Sequence, residues 1–247
     1  MKAFKTMLKT ELKLSLRGMD MVIFAQIMPV VVTVIIGIIF GSQPAFEGAS
    51  YSFFAQSFGA LATIGICASG VMGLPLVIAD YRHKKILKRF RVTPVSPSMI
   101  LLVQVTAHFL QSVVSAILVY VTSVVFFGFR LQGSMLAFIG SFLLVLVSIY
   151  SIGLLIGGVS PNIKVSNLLC TIFYFPMLLF SGATLPYEVL PPVFQRISDV
   201  MPLTQGIKLL KATSLGLPVE NAVVPLIIMG VIALLCIVAS VRFFRWE

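Results

Sequence analysis

Charge is what this sequence has least of. Only 11% of its 247 residues are Asp, Glu, Lys or Arg, about half the share of an ordinary soluble domain, whereas 59% are hydrophobic. Six long apolar runs, 21–41, 51–79, 99–129, 134–159, 165–185 and 222–241, contain no Asp, Glu, Lys or Arg. Of the two histidines, His83 and His108, only His108 falls inside a run. A proton- or ion-coupled carrier needs an intramembrane group that holds the ion away from bulk water, so these runs offer such a device little beyond His108. A lone histidine in an apolar helix ordinarily packs through a hydrogen bond to a neighbour. A membrane-embedded enzyme needs a nucleophile with its base, paired carboxylates or metal ligands, and the sequence brings no such set together. Cysteine is equally sparse. Cys67, Cys170 and Cys236, each within an apolar run, match neither a disulfide framework nor a zinc pattern and read as small packing residues. A phosphate-cradling G-x-x-x-x-G-K-[ST] loop is missing too. No catalytic, cofactor-binding or metal-binding residue is therefore assigned, and ATP-driven work has to draw on another polypeptide.

What is present is length and apolarity. Crossing the hydrocarbon takes roughly 20 mainly apolar residues in a helix, because lipid offers backbone amides no partner outside the helix itself. All six runs qualify, and together they predict one membrane domain over residues 1–247. The third run, at 31 residues, makes roughly 46 Å of helix at about 1.5 Å per residue, well beyond a core of about 30 Å. It must tilt, bend or extend out of the membrane. The first run has a long basic leader and no clear cleavage site, so it is read as a retained span rather than a signal peptide.

The net charge of +10 suggests nucleic acid in a soluble protein, but its distribution tells otherwise. Fourteen of the eighteen Lys and Arg residues lie in the segments before span one, between spans two and three, between spans four and five, and after span six. This is the topogenic signal that puts those segments inside. Both termini and the 80–98 loop are thus predicted cytoplasmic, with no nucleic-acid partner.

Three segments outside the spans carry their own patterns. Residues 1–20 hold Lys2, Lys5, Lys9, Lys13 and Arg17 on one helical face and Phe4, Met7, Leu8, Leu12 and Leu14 mostly on the other, the pattern of an amphipathic helix lying in the inner interface. In the 80–98 loop, Ile86, Leu87 and Phe90 form a short apolar stripe among cations and end at Pro94 and Pro97, a short helix that a cytoplasmic partner can grip. Residues 186–221 place Leu190, Val193, Phe194, Ile197 and Met201 opposite Gln195, Arg196, Ser198 and Asp199. They predict short helices lying on, or dipping into, the outer leaflet and broken at Pro202. Gly37 with Gly41 and Gly153 with Gly157 let helices approach closely, within one subunit or between two.

Two stretches together resemble a known family. After the second span stands Arg89 to Ser96, RFRVTPVS; after the fifth stand Ser181-Gly182, Pro186, Leu190-Pro191 and Pro202-Leu203-Thr204. With six spans, inside termini and an N-terminal amphipathic helix, this is similar to the ABC-2 type permeases, the membrane subunits of many ATP-binding cassette exporters. The likeness covers nearly the whole chain. It departs where the family often carries Glu and a Gly-Thr pair and this chain has Lys84, Lys85, Ile86 and Lys88.

The resemblance implies an all-α polytopic fold in the plasma membrane of a bacterium. It implies that segment 81–97 is a coupling helix seated on a separate ATP-binding subunit that carries the ATP and Mg, with Tyr81, Arg82, Lys85, Ile86, Leu87, Arg89, Phe90, Thr93 and Pro94 at the contact. It further implies an outer gate or re-entrant segment around Ser181, Gly182, Pro186, Pro191 and Pro202. The chain would pair with a second copy or a homologue, amid membrane lipid, and export an amphipathic or lipid-like compound such as a drug, antimicrobial peptide, lipid or glycan. Two other readings stay open. One is an ion-coupled transporter or channel using His108, Gln56, Gln104 and Gln111; the other is a non-transporting immunity or sensor protein.

Overall fold

A chain with six uncharged runs has one way to satisfy its backbone in lipid, and each run folds into helix. The computed structural model describes residues 2–41, 43–45, 48, 51–86, 96–184, 187, 191–218 and 220–243. In chain order the helices are α1 (Lys2–Arg17), α2 (Met19–Val22), α3 (Met28–Phe40), α4 (Phe53–Cys67), α5 (Leu74–His83), α6 (Pro97–Phe127), α7 (Met135–Val159), α8 (Ile163–Phe180), α9 (Pro192–Val200), α10 (Pro202–Leu215) and α11 (Glu220–Phe243). Six are long and apolar enough to cross a membrane: Ile23–Phe40, Phe53–His83, Ser98–Phe127, Met135–Val159, Ile163–Phe180 and Glu220–Phe243. Among the described residues there is no strand, only an isolated bridge between Pro44 and Ser52.

The span boundaries move for local reasons. The second helix runs on past Ala79 to His83 and so carries Asp80 and Arg82. The fifth stops at Phe180, where Ser181 and Gly182 turn the chain, instead of reaching residue 185. The third keeps its 31 residues but starts earlier, at Pro97. Ser96 caps it, its side chain accepting from Met99 N at 3.2 Å, and proline at the first turn loses no helical hydrogen bond. It ends at Gly128, whose φ of +61° is the left-handed cap that glycine allows cheaply.

Two of the prolines inside spans, Pro29 and Pro75, are accommodated by widened turns, while Pro176 and Pro225 sit within continuous α-helix. A proline lacks its N–H and crowds the carbonyl four residues back, and single π-helical turns at Ile23–Ile27 and Ala68–Gly73 stand immediately before the Pro29 and Pro75 turns. There the Met28 N–H reaches Ile23 O and the Leu74 N–H reaches Ser69 O, bonds that skip one residue and give the ring room.

The second span is the axis of the bundle. Phe54, Phe58, Leu61, Ile64, Ile66 and Leu74 are buried around it, and α10, α7, α6 and α8 pack on its sides. Ile38, Val125, Leu136, Leu234 and Val238 on the outer helices point away, exposed, which is where hydrocarbon belongs for a spanning bundle. Both glycine pairs serve packing inside the subunit. A Cβ on Gly37 would meet the Phe127 ring at 2.2 Å, and one on Gly153 would meet Gly70 O at 1.9 Å. At that crossing Ser69, Ser112 and Tyr150 join hydroxyls, with distances of 2.5, 2.7 and 2.9 Å, all buried. The α4–α5 span, α6 and α7 are thereby tied at mid-depth.

Gly153→Ala is expected to lower stability by about 1–3 kcal/mol through overpacking. Gly140→Ala, in the same helix with open space around it, is expected to be neutral or to gain up to about 1 kcal/mol. Thermal unfolding of the two variants in one detergent checks the pair, and equal behaviour would sink the account of the crossing.

Candidate functional site

The helices run up and down, so the bundle has two ends. At the basic end lie α1, the end of α5 with residues 84–86, the start of α6 and the α7–α8 turn at residues 160–162; at the other lie residues 43–45, 51–52, 128–134, 181–184 and 191–218. The expected functional segments divide between them.

At the basic end α5 finishes at Lys84 and Lys85. Lys84 N bonds to Asp80 O and Lys85 N to Arg82 O, both at 2.9 Å, and Lys85 takes φ +56°, a left-handed turn that closes the helix at some cost for a residue with a Cβ. Lys84 pairs with Asp80 at 2.7 Å. Lys85 is exposed and Ile86 half-buried. The expected contacts Leu87, Arg89, Phe90, Thr93 and Pro94 lie outside the described residues.

Tyr81 and Arg82 face into the subunit. The Tyr81 hydroxyl donates to Glu11 of α1. The Arg82 guanidinium, buried, donates to Ser160 O and to Gly158 O, the latter at 3.3 Å. Those carbonyls close the C-terminal end of α7, where a cation is favoured by both unpaired C=O groups and the helix dipole. Two adjacent side chains thus fasten α5 to α1 on one side and to α7 on the other.

The face of α1 explains the first bond. Lys5, Lys9, Lys13 and Arg17 are exposed, as the spacing predicts, and Phe4, Met7, Leu8 and Leu12 are half-buried. Leu14 departs from the expected apolar face and is exposed with Leu16 and Met19, while Glu11 and Ser15 turn inward. The sequence pattern hides this because one acid among leucines looks like an interruption of the apolar stripe.

At the other end Gly182 takes φ +88°, and the buried Ser181 accepts from Ala183 N at 3.3 Å. Pro191 precedes α9 and Pro202 opens α10, so the break expected at Pro202 falls there; Pro186 lies outside the described residues. The two helices do not lie flat together. α9 shows Val193, Ile197 and Val200 outward, whereas α10 buries Leu203, Leu209 and Leu210 against α4, α7 and α11. Gly206 lies on Val145 and Met229, the eleventh residue of α7 and the tenth of α11, or about 15 Å along each helix. The C-terminal end of α10 is back at the bundle end, where Ser214 O accepts from Gln132 N at 3.1 Å and Gly133 N at 3.0 Å. The hairpin therefore dips to mid-bundle and returns.

Its descending arm is held by an ion pair. Lys208 donates to Asp199 at 2.7 Å, Tyr187 donates to the same carboxylate at 3.0 Å, and the ammonium stands 5.1 Å from the Tyr187 ring. The Lys208 hydrogen bond, helped by Tyr187, holds the Asp199 carboxyl below the ordinary range, against the opposing effect of burial. Gln205 Nε2 also donates to Asp199 O at 2.7 Å. Among the described residues no group of three or more His, Cys, Asp and Glu is placed to hold a metal.

A family model described as ABC-2 type transporter matches residues 2–215. Part of the chain is similar to Nodulation protein J of Rhizobium leguminosarum bv. viciae, 33% identical over 93 residues, which are 38% of this chain and 34% of that protein. Nodulation protein J of Sinorhizobium fredii (strain NBRC 101917 / NGR234) is 31% identical over 94 residues, with the same two shares. The match spans about a third of the length of these relatives.

Arg82→Met is expected to cost about 1–3 kcal/mol, since it leaves buried carbonyls without a donor, and Lys85→Met to change stability by less than about 0.5 kcal/mol. Chemical denaturation in detergent distinguishes them. The Asp199 contact contributes above the unfolded carboxyl value near 3.9 and is lost as pH falls through the lower folded value. Amide exchange across residues 187–208, corrected for intrinsic rates, is expected to quicken below about pH 4 in the wild type but not in Asp199→Asn. An identical pH response in both would remove the ion pair from the account.

Proposed function

The chain belongs to the ABC-2 type transporter family, and from that premise we propose that it is the permease subunit of an exporter driven by ATP hydrolysis on a separate cytoplasmic subunit. The observation that carries this reading is the extent of the family match, residues 2–215, which takes in α1, the basic loop and the dipping hairpin. The basic end is the cytoplasmic one, as the excess of Lys and Arg there favours. Segment 81–97 receives the ATPase: Lys85 and Ile86 at the turn, with Leu87, Arg89, Phe90, Thr93 and Pro94 beyond it, form the contact. Tyr81 and Arg82 pass displacement on to α1 and to the end of α7, through the bonds that hold those helices.

Two permease chains, identical or homologous, form the path between them, and nucleotide-driven closure of the ATPase pair rocks them as rigid bodies. The hairpin segment that holds Ser181, Gly182, Pro186, Pro191 and Pro202 is the outer gate. An amphipathic or lipid-like cargo is favoured by an open groove of about 920 Å³ beneath the hairpin tip, between α7, α8 and α11, in which Arg196 is the only charged lining residue among the described residues. The complex works in the plasma membrane.

Leu87→Asp and Phe90→Asp are each expected to abolish co-purification of the cytoplasmic ATPase while leaving membrane insertion intact. Affinity purification of the tagged chain from its own membranes checks this. Undiminished association and export in both variants would overturn the assignment of the loop.

A further inference from the structure

Gln104, His108 and Gln111 fall at i, i+4 and i+7 on one face of α6. All three are more than nine-tenths buried. Gln104 Nε2, His108 Nδ1 and Gln111 Oε1 nevertheless have no partner in good hydrogen-bond geometry, although Gln111 stands beside His108 and Gln104 beside Tyr81, close enough to interact. Buried polar atoms are nearly always paired, since each one left unpaired keeps its full desolvation penalty. Three orphans on one helix face need a common explanation, and they have a common surrounding. They line a cavity of about 360 Å³ between α1, α5 and α6 at the basic end, far larger than one water requires.

The other polar groups of that cavity are Glu11 and Ser15 of α1 and Asp80 and Tyr81 of α5. The Ser15 hydroxyl is also buried without a partner. Among the described residues both charged lining groups are carboxylates, and no Lys or Arg lines the cavity. Lys84 reaches Asp80, while Lys5, Lys9, Lys13 and Arg17 stand on the opposite, exposed face of α1. The chamber is thus acidic and rich in acceptors, with cations outside it.

We propose that this cavity binds a primary ammonium headgroup, that of an ethanolamine phospholipid. Three N–H donors of an ammonium suit Glu11, Gln111 Oε1 and His108 Nδ1, and Gln104 Nε2 is left to donate to a phosphodiester oxygen. A quaternary choline has no N–H to give and is recognised by aromatic cages, whereas among the described residues Tyr81 is the one Phe, Tyr or Trp in the lining. The lipid source follows from the walls. Leu14, Leu76, Val77 and Ala107 continue the cavity with apolar surface, and the exposed Leu14, Leu16 and Met19 mark the end of α1 as an interfacial edge. The site ties a membrane lipid to the same α1–α5 contact that Glu11 and Tyr81 make.

The full chain, purified with any associated subunits and stripped of lipid, would be titrated with dioleoyl phosphatidylethanolamine or dioleoyl phosphatidylcholine in mixed micelles, with bound lipid counted by native mass spectrometry. One ethanolamine lipid per chain is expected at concentrations about tenfold or more below those needed for the choline lipid. Glu11→Gln, which keeps an acceptor for Tyr81, and Gln111→Leu, close in volume, are each expected to weaken that binding about tenfold or more, with melting temperature measured alongside. Equal retention of the two lipids by the wild type, or of the ethanolamine lipid by both folded variants, would overturn the proposal. So would a cavity that retains no stoichiometric lipid and holds water alone, or displacement by free phosphoethanolamine at the lipid's own concentration, which would make the ligand a soluble amine.

Discussion

Everything in this structure depends on one constraint: within hydrocarbon a backbone N–H or C=O has no partner except another group of the same protein. Six uncharged runs meet it by becoming helices, and several departures from simple helix are repaired locally. The π-helical turns before Pro29 and Pro75 keep amides bonded where proline removes a donor. Arg82 closes carbonyls at the end of α7, and Ser214 O takes two N–H groups from the α6–α7 turn. The hairpin that dips to mid-bundle is tolerated because α4, α7 and α11 surround its second helix.

The same constraint explains why the two ends of the bundle are built differently from its middle. Where hydrocarbon contact is greatest, packing relies on glycine approach and a hydroxyl cluster, which need no desolvated charge. The ion pairs among the described residues, Lys84 with Asp80 at the basic end and Lys208 with Asp199 on the hairpin, keep partly exposed side chains, so neither charge is fully desolvated. In the reading of this chain as a permease, motion enters at the basic end and is used at the hairpin. In that reading the tightly crossed middle, at Gly70 and Gly153, favours movement of the subunit as one body.

Part of the hairpin was legible in residue order. Pro202 stands where the hairpin breaks, and Ser181 and Gly182 where the fifth span ends. Less legible were side-chain directions. Tyr81 and Arg82 read as two members of a basic loop, yet they continue a helix and point inward. Glu11 reads as a flaw in an amphipathic stripe, yet it is the residue that meets Tyr81.

By itself the sequence determined the number of spans, their approximate ends and the side on which positive charge gathers, because length, hydropathy and loop charge act locally and additively. Only the tertiary structure decided which span lies at the axis, that α10 descends into the bundle instead of resting on it, and that Gln104, His108 and Gln111 share a chamber with Glu11. Those outcomes turn on which faces meet across helices distant in the chain. A helix's own periodicity says which residues share a face, but the partner of that face is chosen by the shape and polarity of the helices around it.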